Sequence, residues 1–248
     1  MSRAEAERPD RIRVDITPSE HVTALAYRAA ARGHAGVTLI LAHGAGANQA
    51  SGFMVRFATA LAARGIDTVT FNFVYSEEGR RLPDRNDKLE SCYRQIIDAV
   101  RSGKFHQDAV RRKLVIGGKS MGGRIASQVA AKNGDGIAGL VFLGYPLHPP
   151  GRPDKLRSKH LPDIRAPMLF VQGSRDAFGT PDELRPILRE LKVPADLCLV
   201  EDGDHSLKVP KRSAKSQDLV YDFVLDEIAR WVVALGKAGS NGPHASAP

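Results

Sequence analysis

The chain predicts an α/β fold built on a mostly parallel, twisted sheet with helices on both faces. Three observations lead there. Short apolar runs alternate with helical stretches along nearly the whole sequence, the pattern of strands joined through covering helices. A serine between glycines, Gly118-Lys119-Ser120-Met121-Gly122, joins an apolar run over 114–116 to a helical one over 124–131. A length of 248 residues is enough for one ordinary domain with a well-buried core.

Residues 1–11 are polar, lack an apolar signal-peptide core and read as a flexible lead. Residues 12–16 and 22–27 predict an antiparallel opening hairpin. The unbroken apolar run 37–42 suits a buried central strand. A helix follows over 53–63, with Gly65 as its stop. Next come a strand over 68–73, a charged loop and a helix over about 88–100. After the glycine-flanked serine and its helix, strands are expected at 139–143 and 168–172, a helix at 182–191 and a strand at 196–200. The last helix runs over 217–235. The stretch 236–248 is rich in Gly, Ser, Ala and Pro and reads as a disordered tail, which leaves one domain over 12–235. Between 143 and 168 lies a Pro-rich, basic segment, Tyr145-Pro146-Leu147-His148-Pro149-Pro150-Gly151-Arg152, with a short helical patch behind it. It is too short for a helical cap domain and predicts a minimal lid.

Composition narrows the function classes. The formal net charge is +8, but the basic residues are scattered and no zinc finger, helix-turn-helix or aromatic RNA-binding strand accompanies them. Solvated surface accounts for them better than nucleic acid does, with attraction to anionic substrates second. No apolar run approaches a membrane span. The two cysteines, Cys92 and Cys198, have neither redox nor metal-ligand spacing and read as buried thiols of a cytoplasmic protein. No metal and no cofactor is expected.

G-x-S-x-G at a strand-to-helix junction is the nucleophile elbow of α/β-hydrolases, a turn so tight that the serine takes a strained backbone and its neighbours must be glycine. Gly118-Lys119-Ser120 also ends like a phosphate-binding P-loop. That motif needs glycine where this chain has Lys113, and residues 114–116 read as strand rather than as a loop of backbone N–H groups. A serine nucleophile needs a base and a carboxylate that orients it, following in the order Ser, Asp or Glu, His, each on a loop after a strand. Leu169-Phe170-Val171-Gln172-Gly173-Ser174-Arg175-Asp176 ends an apolar run in a polar turn and offers Asp176. Gly203-Asp204-His205-Ser206 offers His205, the only histidine between Asp176 and the tail. Asp202 or Asp204 could orient His205 locally, but rank below Asp176 because a turn commits their backbone elsewhere. Oxyanion donors are expected from the Met121 N–H at the helix start and the Ala45 N–H in the loop His43-Gly44-Ala45-Gly46-Ala47-Asn48. The loop Tyr75-Ser76-Glu77-Glu78-Gly79-Arg80-Arg81-Leu82-Pro83-Asp84-Arg85 has two readings. It is either a salt-bridged surface turn or a clamp in which Arg80 or Arg81 holds an anionic substrate group.

Taken in order, H-G-A-G at 43–46, F-N-F-V-Y at 71–75, G-R-R-L-P-D-R at 79–85, G-G-K-S-M-G-G-R at 117–124 and G-D-H-S at 203–206 resemble one bacterial branch of the α/β-hydrolase superfamily. That branch is related to dienelactone hydrolases. It includes a eukaryotic testis-expressed protein and a non-catalytic subunit of a histone acetyltransferase complex. The resemblance covers roughly residues 20–235 and implies the fold and the set Ser120, Asp176 and His205. Val74 stands where the group has proline. Dienelactone hydrolases proper carry a cysteine nucleophile, so their substrate is not implied. Two functions follow: a serine hydrolase acting on small esters or thioesters, anionic ones among them, or a hydrolase-fold interaction module without activity. Nothing in the sequence speaks to oligomeric state.

Overall fold

A computed structural model describes residues 8–237. Eight strands form one open sheet in the order β1-β2-β4-β3-β5-β6-β7-β8. β1 (Asp10–Asp15) and β2 (His21–Tyr27) make the antiparallel hairpin, and β2 also runs antiparallel to β4 (Asp67–Phe71). β3 (Val37–Ala42), β4, β5 (Lys113–Lys119), β6 (Ile137–Leu143), β7 (Met168–Gly173) and β8 (Ala195–Val200) are mutually parallel. Parallel strands require crossovers. Helices α1 (Gly52–Ala63), α3 (Asn86–Arg101), α4 (Met121–Lys132), α5 (Pro181–Arg189) and α6 (Gln217–Lys237) cover the sheet, and α2 (Val74–Glu77) is a single turn after β4.

The period of two along each strand splits the apolar residues between two cores. In β3, Ile40 and Ala42 face the layer with α3, α4 and α5, whereas Val37, Leu39 and Leu41 face α1 and α6. β3 is buried on both faces, as its unbroken apolar run requires. Each of its fully buried leucines and isoleucines contributes about 1.5–3 kcal/mol of transfer free energy. Tyr93 of α3 reaches through the first core: its hydroxyl donates to Gly117 O at 2.7 Å and accepts the Gly117 N–H at 3.0 Å. This ties α3 to β5 three residues before Ser120. α5 starts on a reciprocal cap, in which Thr180 Oγ1 accepts the Glu183 N–H and the Glu183 carboxylate accepts the Thr180 N–H.

The expected elements are all present, with boundaries moved by a few residues. β1 begins at Asp10, inside the stretch read as a flexible lead, and α6 reaches Lys237, two residues past its expected end. The rest of the lead, 1–7, and of the tail, 238–248, lies outside the described residues. The short 3-10 turn Gln107–Arg111 and the turn α2 have no periodic signal to announce them, and the helical patch expected behind Arg152 is a 3-10 turn, Leu161–Asp163. The β6–β7 connection holds only one of these turns, which makes a short cover in place of a cap domain. Val74 is the first residue of α2, a position where proline is equally at home, so the departure from proline leaves the path intact. Among the described residues no helix is long and apolar enough to cross a membrane, and both cysteines are free, Cys92 buried and Cys198 only half-buried.

Candidate active site

Ser120 caps α4 with φ 51° and ψ −117°, a conformation that costs a non-glycine residue about 1–3 kcal/mol. The packing explains why the chain holds it there. A Cβ on Gly118 would lie 2.6 Å from Ala42 O, and one on Gly122 would lie 2.5 Å from Ala42 O and 2.6 Å from His43 O. β3, β5 and the first turn of α4 therefore meet at backbone contact, and only glycines permit it. Met121, at the first helical position, has an N–H with no acceptor in its own helix.

His205 follows β8 and lies beside Ser120. Its Nδ1–H donates to Asp176, 2.8 Å from Oδ2 and 2.9 Å from Oδ1. That tautomer leaves Nε2 to accept the Ser120 hydroxyl at 2.7 Å. The structure thus brings together the three residues that the sequence singled out. Asp176 is buried and fully hydrogen-bonded: Oδ1 accepts the Phe178 N–H and Oδ2 accepts Gln172 Nε2, each at 2.8 Å. Asp202 and Asp204 are committed to their turn. Asp204 Oδ1 accepts the Ser206 and Lys208 N–H groups, and Asp202 Oδ2 accepts the Ser213 hydroxyl.

Several supporting residues escaped the sequence reading. Gln172, fully buried at the end of β7, also donates to Gly179 O at 2.7 Å and accepts the Tyr145 N–H at 2.8 Å. A polar residue closing an otherwise apolar strand was its only signal. Phe178 stacks on the His205 ring with centroids 4.1 Å apart. Lys119, inside the elbow motif itself, sends its ammonium to His205 O at 2.5 Å. Burial lowers its pKa to about 8 although Asp176 and Asp204 favour the charge. Gly144 makes room: a Cβ there would be 2.6 Å from His205 O and 3.3 Å from Lys119 Nζ.

The loop after β3 is set by His43. The Phe73 N–H donates to its Nε2 at 3.2 Å, so Nδ1 carries the proton and donates to Gly44 O at 2.8 Å. Burial pushes the His43 pKa down to about 4, which keeps the ring neutral. The Gly44–Ala45 peptide is trans, so fixing Gly44 C=O toward His43 turns the Ala45 N–H away from it.

A cleft of about 960 Å³ opens over Ser120, lined among others by Ala45, Phe53, Met121, Pro146, Phe178 and Tyr221. Arg80 and Arg81 do not line it. Arg80 instead pairs with Glu78 and Asp84, each at 2.7 Å, and Arg81 is exposed, so the salt-bridged reading of this loop describes it and the clamp does not. The cations that do line the cleft are Arg56, Lys119, Arg124, Arg157 and Lys208. Among the described residues no group of three or more His, Cys, Asp or Glu is arranged to hold a metal ion.

Solved structures share this architecture. A serine hydrolase without a lid from Xanthomonas campestris is 19% identical with a TM-score of 0.69, over 91% of this chain and 95% of that one. A dienelactone hydrolase from Anabaena variabilis is 20% identical with a TM-score of 0.69, over 92% and 99%. Est1E from Butyrivibrio proteoclasticus is 13% identical with a TM-score of 0.68, over 90% and 99%. At such identities the likeness establishes the fold. The family described as "alpha/beta hydrolase domain" matches residues 35–233, most of the chain, from β3 into α6. With that match and a dienelactone-hydrolase-like sheet, the chain belongs to the α/β-hydrolase domain family.

Proposed function

We propose that this protein is a serine hydrolase that cleaves small esters or thioesters through an acyl-enzyme. The observation that carries the reading is the continuous line of hydrogen bonds from Ser120 Oγ through the His205 ring to Asp176. Ser120 Oγ attacks the acyl carbon as its proton passes to His205 Nε2, and Asp176 stabilises the imidazolium that forms. The carbonyl oxygen becomes an oxyanion received by the Met121 and Ala45 N–H groups, each worth about 2.7–4 kcal/mol in rate. His205 then gives its proton to the leaving alcohol or thiol. Water, deprotonated by the same nitrogen, attacks the acyl-enzyme and releases the acid and the free serine. The serine hydrolase and dienelactone hydrolase names borne by proteins of this fold agree with such a substrate.

The test is labelling with a fluorophosphonate followed by mapping of the adduct. Modification of Ser120 in the native protein, absent in Ser120→Ala, is expected. An unlabelled protein that also cleaves no p-nitrophenyl or CoA ester favours an interaction module on a hydrolase fold.

A further inference from the structure

The cleft holds more positive charge than the hydrolytic chemistry uses. Of its five cationic side chains, Arg56 is paired with Asp218 at 2.6 Å and Lys119 is bound to His205 O. Lys208 is exposed. The remaining two, Arg124 and Arg157, have no carboxylate within 4 Å among the described residues. Arg124 lies one turn of α4 beyond Ser120 and makes only long contacts to neutral groups, 3.3 Å to Asn86 Oδ1 and 3.4 Å to Gln128 Oε1. Arg157, on the cover between β6 and β7, is held from both sides of its backbone. Its N–H donates to Leu147 O at 2.7 Å, and its C=O accepts the Tyr145 hydroxyl at 3.0 Å. His160, three residues on, is anchored to Ser127 of α4 at 2.7 Å. The cover is thereby fastened to the helix that carries Arg124.

Two guanidinium groups facing one cleft repel each other. Burial, and then the Arg157 charge, lower the pKa of Arg124 below the ordinary arginine value. Such an arrangement is stabilised by an anion placed between the pair. Charge pairing elsewhere leaves the cleft as the place for that anion. The groove lined by Asp87, Glu90 and Asp163 offers it no free cation among the described residues, since Lys132 is paired with Glu90 at 2.7 Å and Arg85 lies 3.6 Å from Asp87. Asp84, the single acid lining the cleft among the described residues, is neutralised by Arg80 and accepts the Tyr75 N–H.

We propose that Arg124 and Arg157 form an anion subsite of the Ser120 cleft, which takes a carboxylate or phosphate group carried by the ester substrate. Arg80 and Arg81 play no part in holding it. The kinetic arm of the test rests on the hydrolase reading, and the binding arm does not.

Hydrolysis of mono-p-nitrophenyl glutarate is compared with that of p-nitrophenyl butyrate, and glutarate and inorganic phosphate are titrated calorimetrically. The native protein is expected to favour the acidic ester, and R124Q or R157Q to lower the acidic-to-neutral ratio of kcat/KM roughly 10- to 100-fold. R81Q, outside the cleft, leaves that ratio unchanged. Because Arg157 lies on the surface cover, R157Q keeps the test alive if R124Q fails to fold. Loss of glutarate binding in the variants names a carboxylate as the ligand, and loss of phosphate binding names a phosphate. Three results overturn the proposal: no ester preference together with no binding of either anion, binding unchanged in both variants, or an equal fall in the ratio for R81Q. If no ester is cleaved and Ser120 takes no label, the hydrolase reading fails while calorimetry still decides the subsite.

Discussion

Each end of the sheet carries a histidine, an aspartate and a cation, and the two sets do different work. At the amino-terminal end, Asp67 opens β4 and Arg112 precedes β5. Asp67 is paired with Arg112, accepts the Ala29 N–H at 2.9 Å, and has His34 Nε2 3.2 Å away but off the hydrogen-bonding direction. The other ring nitrogen, Nδ1, accepts the Gly36 N–H at 2.8 Å. Every group there is engaged in closing loops. At the carboxyl-terminal end the cation, Lys119, bonds to the His205 backbone instead of to the aspartate. Asp176 is therefore left in line with the imidazole, whose far nitrogen meets a serine hydroxyl. The difference teaches that a His–Asp pair acquires chemistry from what its remaining atoms are free to touch.

The largest test of that contrast is Ser120→Ala, which should lower kcat on a found ester by up to about 10⁶-fold. Its melting temperature should stay near the native value. Ser120→Gly should be equally inactive yet more stable by about 1 kcal/mol, because glycine tolerates the positive φ. A loss of stability in both would mean that the elbow serine is structural.

Paired carboxamide substitutions sharpen the comparison next. Asp176→Asn should cost about 10⁴-fold in kcat by inverting the histidine tautomer, and about 1–3 kcal/mol of stability because its amide N–H₂ meets the Gln172 Nε2 donor. Asp67→Asn, which leaves Arg112 only Asp108 at 4.0 Å, should cost about 3 kcal/mol of stability and little activity. The contrast breaks if the two variants exchange phenotypes.

Lys119 tests the cation at the carboxyl-terminal end. Lys119→Met should reduce kcat about tenfold or more by releasing the His205 carbonyl. Because the native ammonium titrates at about 8, activity should fall as pH rises through that value, and Lys119→Met should lack this limb. The stability sign is opposite. The unfolded chain, with an ordinary lysine near 10.5, holds the proton longer, so Lys119's contribution to stability increases from about pH 8 to 10.5. Urea midpoints of the native protein and Lys119→Met across that range check it. The smallest effect is expected from Arg80→Gln. Uncovering Asp84 beside the cleft should raise KM for an acidic ester no more than about fivefold, since Arg80 itself is half-exposed and its charge is screened by solvent.

Much of this was legible before any coordinates. The unbroken apolar run of β3 requires burial on both faces, and the glycines around Ser120 require backbone contact on both sides. The ranking of Asp176 above Asp202 and Asp204 follows from turn geometry, and the structure commits the latter two to N–H and hydroxyl donors. What could not be read was charge pairing. Arg80 sits in a loop at the correct edge of the sheet, yet Glu78 and Asp84 engage it. Gln172 reads as one polar residue in an apolar strand, and its four hydrogen bonds go to Tyr145 and to the separate loop that holds Asp176 and Gly179.

The order of strands and helices and the identity of the serine, aspartate and histidine were determined by the sequence itself, because periodicity and turn motifs depend on residues a few positions apart. Which arginines face the cleft, and which acids and cations are already spoken for, was decided only by the tertiary structure. Charges compete for partners through space, and Ser120, Arg157 and Asp84 become neighbours of one cleft only once the loops bearing them meet.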